Sequence, residues 1–167
     1  MKGARIPAIV FVFILIGYVV FLSFTVPMLP ARVASHFDAA GQANGWMNRT
    51  SAAVLQGIVG LVLPLIVAAA FCSLRFVPTQ GINMPHREYW LALERRSETL
   101  AYLARQGLWL ASLLVCVEAM VWYQLIESNS KRVPQLSTLQ FMATLGIFGA
   151  AMIIWVIRLF RHFAKRD

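Results

Sequence analysis

The pattern of apolar and polar positions divides the chain into four long apolar runs separated by polar segments. The runs lie at about 8–26, 52–74, 107–126 and 138–160. A helix rises about 1.5 Å per residue, so about 20 apolar residues cross the hydrocarbon core of a bilayer. The pattern therefore predicts an all-α membrane protein in which residues 1–167 form one domain, a bundle of four transmembrane helices.

The polar segment between the first two runs, residues 27–51, is rich in turn-forming residues. Pro27 and Pro30 end the first helix because proline has no backbone donor to continue it. Gly41 and the Asn44-Gly45 pair each favour a reversal of the chain. We expect this segment to form a compact folded cap on the extracytoplasmic side.

A second polar segment follows the second run. From about residue 86 to residue 105, positions such as Trp90, Leu100 and Ala104 recur on one side of a helix. This spacing predicts an amphipathic helix on the cytoplasmic surface of the membrane. The alternative is a linker helix that faces water and is amphipathic by chance.

Two features of the runs bear on helix packing. Pro64 interrupts the second run and is expected to kink its helix, since it removes one hydrogen bond. Gly146 and Ala150 in the fourth run form a small-xxx-small pair, which allows two helices to approach closely.

Aromatic residues and cysteines have simple interpretations here. Trp109 and Trp122 lie near opposite ends of the third run, where aromatic belts at the membrane interfaces are expected. Cys72 and Cys116 both fall within apolar runs, so we interpret them as small buried hydrophobic residues and not as a disulfide or zinc site.

The basic residues indicate topology. The net charge is +8, and eleven of the fifteen Lys and Arg residues lie before the first run, between the second and third, or at the C-terminal end. The positive-inside rule therefore predicts that both termini are cytoplasmic, and it explains the basic balance without nucleic-acid binding. The first run, about 19 residues long, exceeds the 7–15 apolar residues of a signal peptide and is expected to be an uncleaved anchor.

One ionisable residue, Glu118, lies inside a run and is the leading candidate for function. Polar residues on the other three runs come to similar or shallower depths: Ser23, Gln56, Gln140 and Thr144. We hypothesise a ligand-binding polar pocket with Glu118 at its floor, open outward or covered by the cap. The alternative is a structural Glu118 that is neutral and hydrogen-bonded to a neighbouring helix, because a low dielectric disfavours the charged form.

His36 and Asp38 in the cap are candidate ligand-binding residues and are also of the types that bind zinc. Two ligands do not make a site, and Glu118, Glu127 or a second subunit would have to complete it. The favoured interpretation is structural, with these side chains capping turns. The sequence has no phosphate-binding glycine loop, nucleophile elbow or HExxH helix, so no cofactor is expected.

Two motifs in the correct topological order carry a resemblance. The stretch LPARVASHFDAAGQANGWMNR and the later GINMPHREYWLALERR resemble the bacterial integral membrane proteins that share the domain of unknown function DUF1648 with SdpI-type immunity proteins. Ala34 replaces the proline usually found two residues before the histidine of the first motif. The matching residues are Leu29, Pro30, His36, Phe37, Asp38, Gly41, Gly45, Trp46, Arg49, Asn83, Pro85, Tyr89 and Trp90.

The resemblance implies a bacterial cytoplasmic (inner) membrane protein that is not an enzyme. SdpI-type members protect the cell from a secreted toxin and can hold a repressor at the membrane. We therefore expect a protein that binds or senses an extracytoplasmic ligand and engages a protein partner through its cytoplasmic helix, within the lipid bilayer and as a homo-oligomer or part of a larger complex. Two alternatives stay open: a small transporter or channel subunit using Glu118, and a metal-dependent membrane enzyme using His36 and Asp38.

Overall fold

A computed structural model describes residues 4–164 and contains four helical segments long and apolar enough to cross a membrane. The first is helix α1, Arg5–Thr25, which is followed by a 3-10 turn at Val26–Met28 and then by strands β1, Arg32–Phe37, and β2, Ala43–Asn48. The second comprises α2, Arg49–Gly57, a π-helical turn at Ile58–Val62 and α3, Leu63–Ser73. The third and fourth segments follow a short helix that comes after the second. Lys2, Lys165 and Arg166 of the charge pattern lie outside the described residues.

The end of the bundle that carries Arg75, Arg87, Arg95 and Arg96 is called the Arg-rich end, and it begins where α3 ends. After 3-10 turns at Leu74–Phe76 and Thr79–Gly81 comes the four-residue helix α4, Arg87–Trp90. Helix α5, Arg96–Asn129, then runs for 34 residues, and α6, Thr138–Ala164, completes the described chain. At about 1.5 Å per residue α5 is about 50 Å long, which exceeds a hydrocarbon core of about 30 Å. The prediction of four spans in an all-α bundle is confirmed.

The predicted amphipathic helix at 86–105 does not form as one helix. Its first part is α4, residues 91–95 are turns, and residues 96–105 are the beginning of α5. The break is held by the Thr99 hydroxyl, which donates to the Trp90 carbonyl at 2.8 Å. Trp90 itself packs against the last turn of α6, where its indole N–H donates to the Phe163 carbonyl at 3.1 Å. Trp90 is therefore part of the protein's own packing.

The strands form an antiparallel hairpin, which the sequence pattern did not predict. Its reversal lies at Asp38–Gln42, where one carboxylate oxygen of Asp38 accepts from the backbone N–H groups of Ala40 at 2.9 Å and Gln42 at 2.8 Å. Gly41 supplies the positive φ of 78° that this turn requires. The reversal expected at Asn44-Gly45 was wrong: both residues lie within β2, and Gly45 pairs with His36, whose side chain occupies the space of a Cβ atom.

The hairpin is part of the core. Leu29 and Val33 are buried in the same apolar cluster as the bundle residues Tyr18, Val115 and Trp122. Its turn also contacts the 130–137 loop, where the Leu136 N–H donates to the Gly41 carbonyl at 2.9 Å. After β2, the Asn48 side chain caps α2 by accepting from the Ser51 N–H at 2.8 Å. The strands are thus fixed to both the second and third spans.

Helix α5 is the centre of the bundle, because it packs against both α1 and α3. At Gly107, α5 and α3 approach each other so closely that a Cβ atom on this residue would overlap the Phe71 side chain. The expected close approach at Gly146 and Ala150 was wrong within this chain: both are exposed on α6, and nothing lies within 4 Å of a Cβ built on Gly146. Small residues alone do not determine which face of a helix meets a neighbour.

Three further expectations are modified by the packing. Trp122 is packed inside the bundle, where it is 1% exposed and its indole N–H donates to the Thr25 hydroxyl at 2.8 Å. Cys116 is exposed on α5 and Cys72 is half-buried, so neither is the buried residue expected. Pro64 follows a π-helical turn, in which the Leu63 N–H donates to the Ile58 carbonyl five residues back, so the wider turn accommodates the ring.

Candidate functional site

A polar cluster links three helices within the membrane-spanning part of the bundle. The Gln56 side-chain amide of α2 donates to the Tyr18 hydroxyl of α1 at 2.7 Å and to the Glu118 carboxylate of α5 at 3.1 Å. It also lies 3.2 Å from the Glu118 backbone carbonyl. The predicted candidates Gln56 and Glu118 are therefore brought together, with Tyr18 as a third member.

The backbone around this cluster explains its geometry. Gly60, inside the π-helical turn, has no side chain, and the Tyr18 ring occupies the space that a Cβ atom would fill. Tyr18 is 3% exposed, so its hydroxyl reaches Gln56 from within the packed core. Wide helical turns of this kind are frequent at functional sites, although here the turn also accommodates Pro64. One Glu118 carboxylate oxygen accepts from a side chain of a neighbouring helix, which is the arrangement that a structural Glu118 requires.

Thr144 belongs to a different polar group. The Gln124 side-chain amide of α5 donates to the Thr144 hydroxyl of α6 at 2.7 Å, and that hydroxyl donates to the Gln140 carbonyl at 3.0 Å. The single predicted pocket is thus two separate polar groups, one at α1–α2–α5 and one at α5–α6. Ser23 belongs to neither group. Its side chain is exposed, and its hydroxyl donates to the Val19 carbonyl of its own helix at 2.8 Å.

A cleft of about 570 Å³ adjoins the second group, in the half of the bundle that carries the hairpin. Gln124 and Thr144 are both buried, and the side-chain carbonyl oxygen of Gln124 has no hydrogen-bond partner in the described part of the chain. A buried acceptor without a partner costs about 1–3 kcal/mol. The cleft walls are mainly apolar and are formed by Phe21, Ala119, Met120, Tyr123, Ala143 and Ile147.

His36 and Asp38 lie on the hairpin, and both are exposed. The Asp38 carboxylate closes the turn, and the His36 ring lies 3.2 Å from the Ser35 hydroxyl. Within residues 4–164, no group of three or more His, Cys, Asp or Glu side chains is placed to hold a metal ion. Asp38 therefore has the geometry of turn formation, whereas His36 lies within β1, and a metal site would need ligands from outside the described residues.

The motif residues fall at both ends of the bundle. Leu29, just before the hairpin, is buried, and within the hairpin the Arg32 guanidinium lies over the Trp46 ring, 5.0 Å from its centre. At the Arg-rich end, the Arg95 guanidinium lies 4.2 Å from the centre of the Tyr89 ring. The two motifs therefore form separate folded ends joined by the spans.

Reasoning from sequence missed Tyr18, Gln124 and Asn129 as members of polar contacts. Each is a polar residue on a mostly apolar helix, and that signal alone could have nominated them. It could not have paired them, because the partner of a helical residue depends on rotation and packing of the helices.

The four spans and their apolar surfaces define the class: this is a multi-pass membrane protein. Residues 12–66, from α1 through the hairpin to α3, match the model of a domain described as domain of unknown function (DUF1648). No similar curated protein and no similar solved structure was found.

Proposed function

We propose that this chain is a non-enzymatic protein of the bacterial cytoplasmic membrane that binds an apolar, hydrogen-bonding ligand from the extracytoplasmic side. The observation that carries the proposal is the cleft between α5 and α6, whose mainly apolar lining also includes the polar residues Gln124, Gln140 and Thr144. The cleft lies in the half of the bundle that carries the hairpin, so a ligand arriving from that side reaches it without crossing the whole membrane.

The orientation rests on charge. The hairpin side carries Arg32, Arg49, Lys131 and Arg132, whereas the other eight basic residues among residues 4–164 lie toward the opposite end. By the positive-inside rule the hairpin is extracytoplasmic and both termini are cytoplasmic.

The chemistry of the cleft specifies the ligand class. Its apolar walls favour a molecule that partitions into the bilayer, and the polar residues Gln124, Gln140 and Thr144 in its lining favour one that also forms hydrogen bonds. A membrane-active peptide has both properties. This agrees with the resemblance to SdpI-type immunity proteins, which protect the cell from a secreted toxin.

A cytoplasmic partner completes the proposal. Leu93, between α4 and α5, is 90% exposed at the Arg-rich end. The neighbouring α4 is held to α6 by the hydrogen bond from the Trp90 indole to the Phe163 carbonyl. This exposed segment is available to a protein partner in the cytoplasm.

The test uses cells that lack the gene and are challenged with concentrated spent medium of the parent strain. We expect survival to fall at least about tenfold and to be restored by the wild-type gene. The double variant Gln124→Leu with Thr144→Val should fail to restore it at equal membrane abundance. Met142→Leu, an exposed position of α6 outside the cleft walls, is the matched control and should restore it.

Two outcomes would overturn the proposal. Full protection by the double variant would show that the cleft is not the binding site. An absence of any survival difference between the deletion strain and its parent would reject the protective role itself.

A second candidate function, a small proton-coupled transporter, is favoured by one observation: Glu118 lies in a three-helix polar cluster within the spans. The test is proton flux into liposomes that enclose a pH-sensitive dye. A flux abolished by Glu118→Gln supports transport, and no flux with the wild-type protein rejects it. No comparable observation supports the hypothesis of a metal-dependent enzyme that uses His36 and Asp38. Stoichiometric metal in the purified protein would be needed to support it.

A further inference from the structure

A second large cavity lies at the Arg-rich end, opposite to the hairpin. It has a volume of about 820 Å³, within the 300–1,000 Å³ of typical ligand pockets. Three arginines from three parts of the fold line it: Arg5 at the start of α1, Arg75 after α3 and Arg96 at the start of α5. No Asp or Glu is among the described residues that line the cavity.

The walls of this cavity are apolar. Ala8, Leu100, Ala104 and Leu108 form much of them, and Cys72 completes one side. Each of the three arginines lies at or next to an end of a helical segment that is long and apolar enough to cross a membrane. The cavity therefore combines three cationic side chains from the ends of these segments with apolar walls.

The start of α1 adds to the positive potential. Its first turn has no side-chain cap and no acidic residue, so the backbone N–H groups and the helix dipole favour an anion near Ala4 and Arg5. The Arg96 guanidinium is positioned by a 2.8 Å hydrogen bond to the Val77 carbonyl, which uses one of its five N–H groups.

We propose that this cavity is a binding site for an anionic phospholipid, with its phosphate held by Arg5, Arg75 and Arg96 and an acyl chain along the wall formed by Leu100, Ala104 and Leu108. Charge complementarity selects an anion, and the apolar wall at the membrane boundary selects a lipid over a water-soluble anion. Basic pockets between helices on the cytoplasmic side are suited to anionic headgroups. The site is separate from the cleft of the proposed function.

The experiment is native mass spectrometry of the delipidated, full-length protein titrated with phosphatidylglycerol, phosphatidylcholine or sodium phosphate. We expect phosphatidylglycerol to bind, and Arg5→Gln with Arg75→Gln and Arg96→Gln to weaken its binding by at least about fivefold, the preference that one basic side chain near a membrane contributes. Removing the same charge with Arg87→Gln, Arg158→Gln and Arg161→Gln, at exposed positions outside the cavity, should leave binding within about twofold.

A variant that fills the cavity tests the lipid without changing charge. Ala104→Phe should weaken phosphatidylglycerol binding several-fold, whereas Val156→Phe, on an exposed face of α6, should not. If the triple arginine variant fails to fold, this pair decides the proposal. Equal losses in both arginine triples, unchanged binding in Ala104→Phe, or sodium phosphate binding as tightly as phosphatidylglycerol would each overturn it.

Discussion

The side chain of Asn129, at the end of α5, forms two hydrogen bonds to the backbone of Ala34 in β1. Its carbonyl accepts from the Ala34 N–H at 2.8 Å, and its amide donates to the Ala34 carbonyl at 3.0 Å. Ala34 is fully buried, so no water can replace these partners. One asparagine therefore continues the hydrogen bonding of the hairpin and fixes it to the bundle.

We predict that Asn129→Ala destabilises the protein by about 2–6 kcal/mol, because two buried backbone groups lose their partners at about 1–3 kcal/mol each. The measurement is unfolding in mixed detergent micelles by added sodium dodecyl sulfate. Asn44→Ala, at an exposed position of β2, is the control and should change stability by less than about 0.5 kcal/mol. Equal effects of the two variants would contradict the anchoring role of Asn129.

Gly41 is predicted to tolerate no side chain. Alanine there would meet a φ of 78°, at a cost of about 1–2 kcal/mol, and its Cβ would overlap the Leu136 carbonyl. Gly41→Ala should therefore loosen the 130–137 loop and increase its cleavage by an added protease. Gly57→Ala, where nothing lies within 4 Å of the new Cβ, should leave the cleavage rate unchanged. A protected loop in Gly41→Ala would show that the turn adapts.

We predict that Glu118 stabilises the fold through the carboxylate oxygen that accepts a hydrogen bond from Gln56. Glu118→Gln keeps an acceptor for Gln56 and should change the free energy of unfolding by less than about 0.5 kcal/mol. Gln56→Leu removes the donor to both Tyr18 and Glu118 and should cost about 1–2 kcal/mol. The same detergent unfolding assay measures both. A larger loss in Glu118→Gln than in Gln56→Leu would indicate that the charge of Glu118 matters to the fold.

Gly107 is predicted to be the critical small residue of the helix packing. Gly107→Ala would press on the Phe71 side chain near its backbone and should cost about 1–3 kcal/mol. Gly146→Ala, which meets nothing within 4 Å, should be neutral or stabilising by up to about 1 kcal/mol. Phe71→Gly, which removes the overlapping Cβ atom as well as the ring, should relieve the overlap when combined with Gly107→Ala, so the double-mutant cycle should show a coupling energy of at least about 0.5 kcal/mol. Additive effects would contradict direct contact.

The sequence predicted several residues of the candidate site but not which of them contact each other. Glu118, Gln56 and Thr144 stand out because polar residues are costly within apolar runs. That Gln56 bridges Glu118 to Tyr18, while Thr144 instead pairs with Gln124, depends on which helix faces which. Hydropathy carries no information on that rotation, since all four helices are apolar on most of their surface.

The sequence by itself determined that the chain crosses a membrane four times, because about 20 consecutive apolar residues have no other stable environment. Tertiary structure alone decided that residues 32–48 form a hairpin and that α5 continues through the segment predicted as a separate helix. It also placed the close helix approach at Gly107 and not at Gly146. The reason is that length and hydropathy are local properties, whereas contacts such as that between Asn129 and Ala34 join residues 95 positions apart and exist only once the helices have packed.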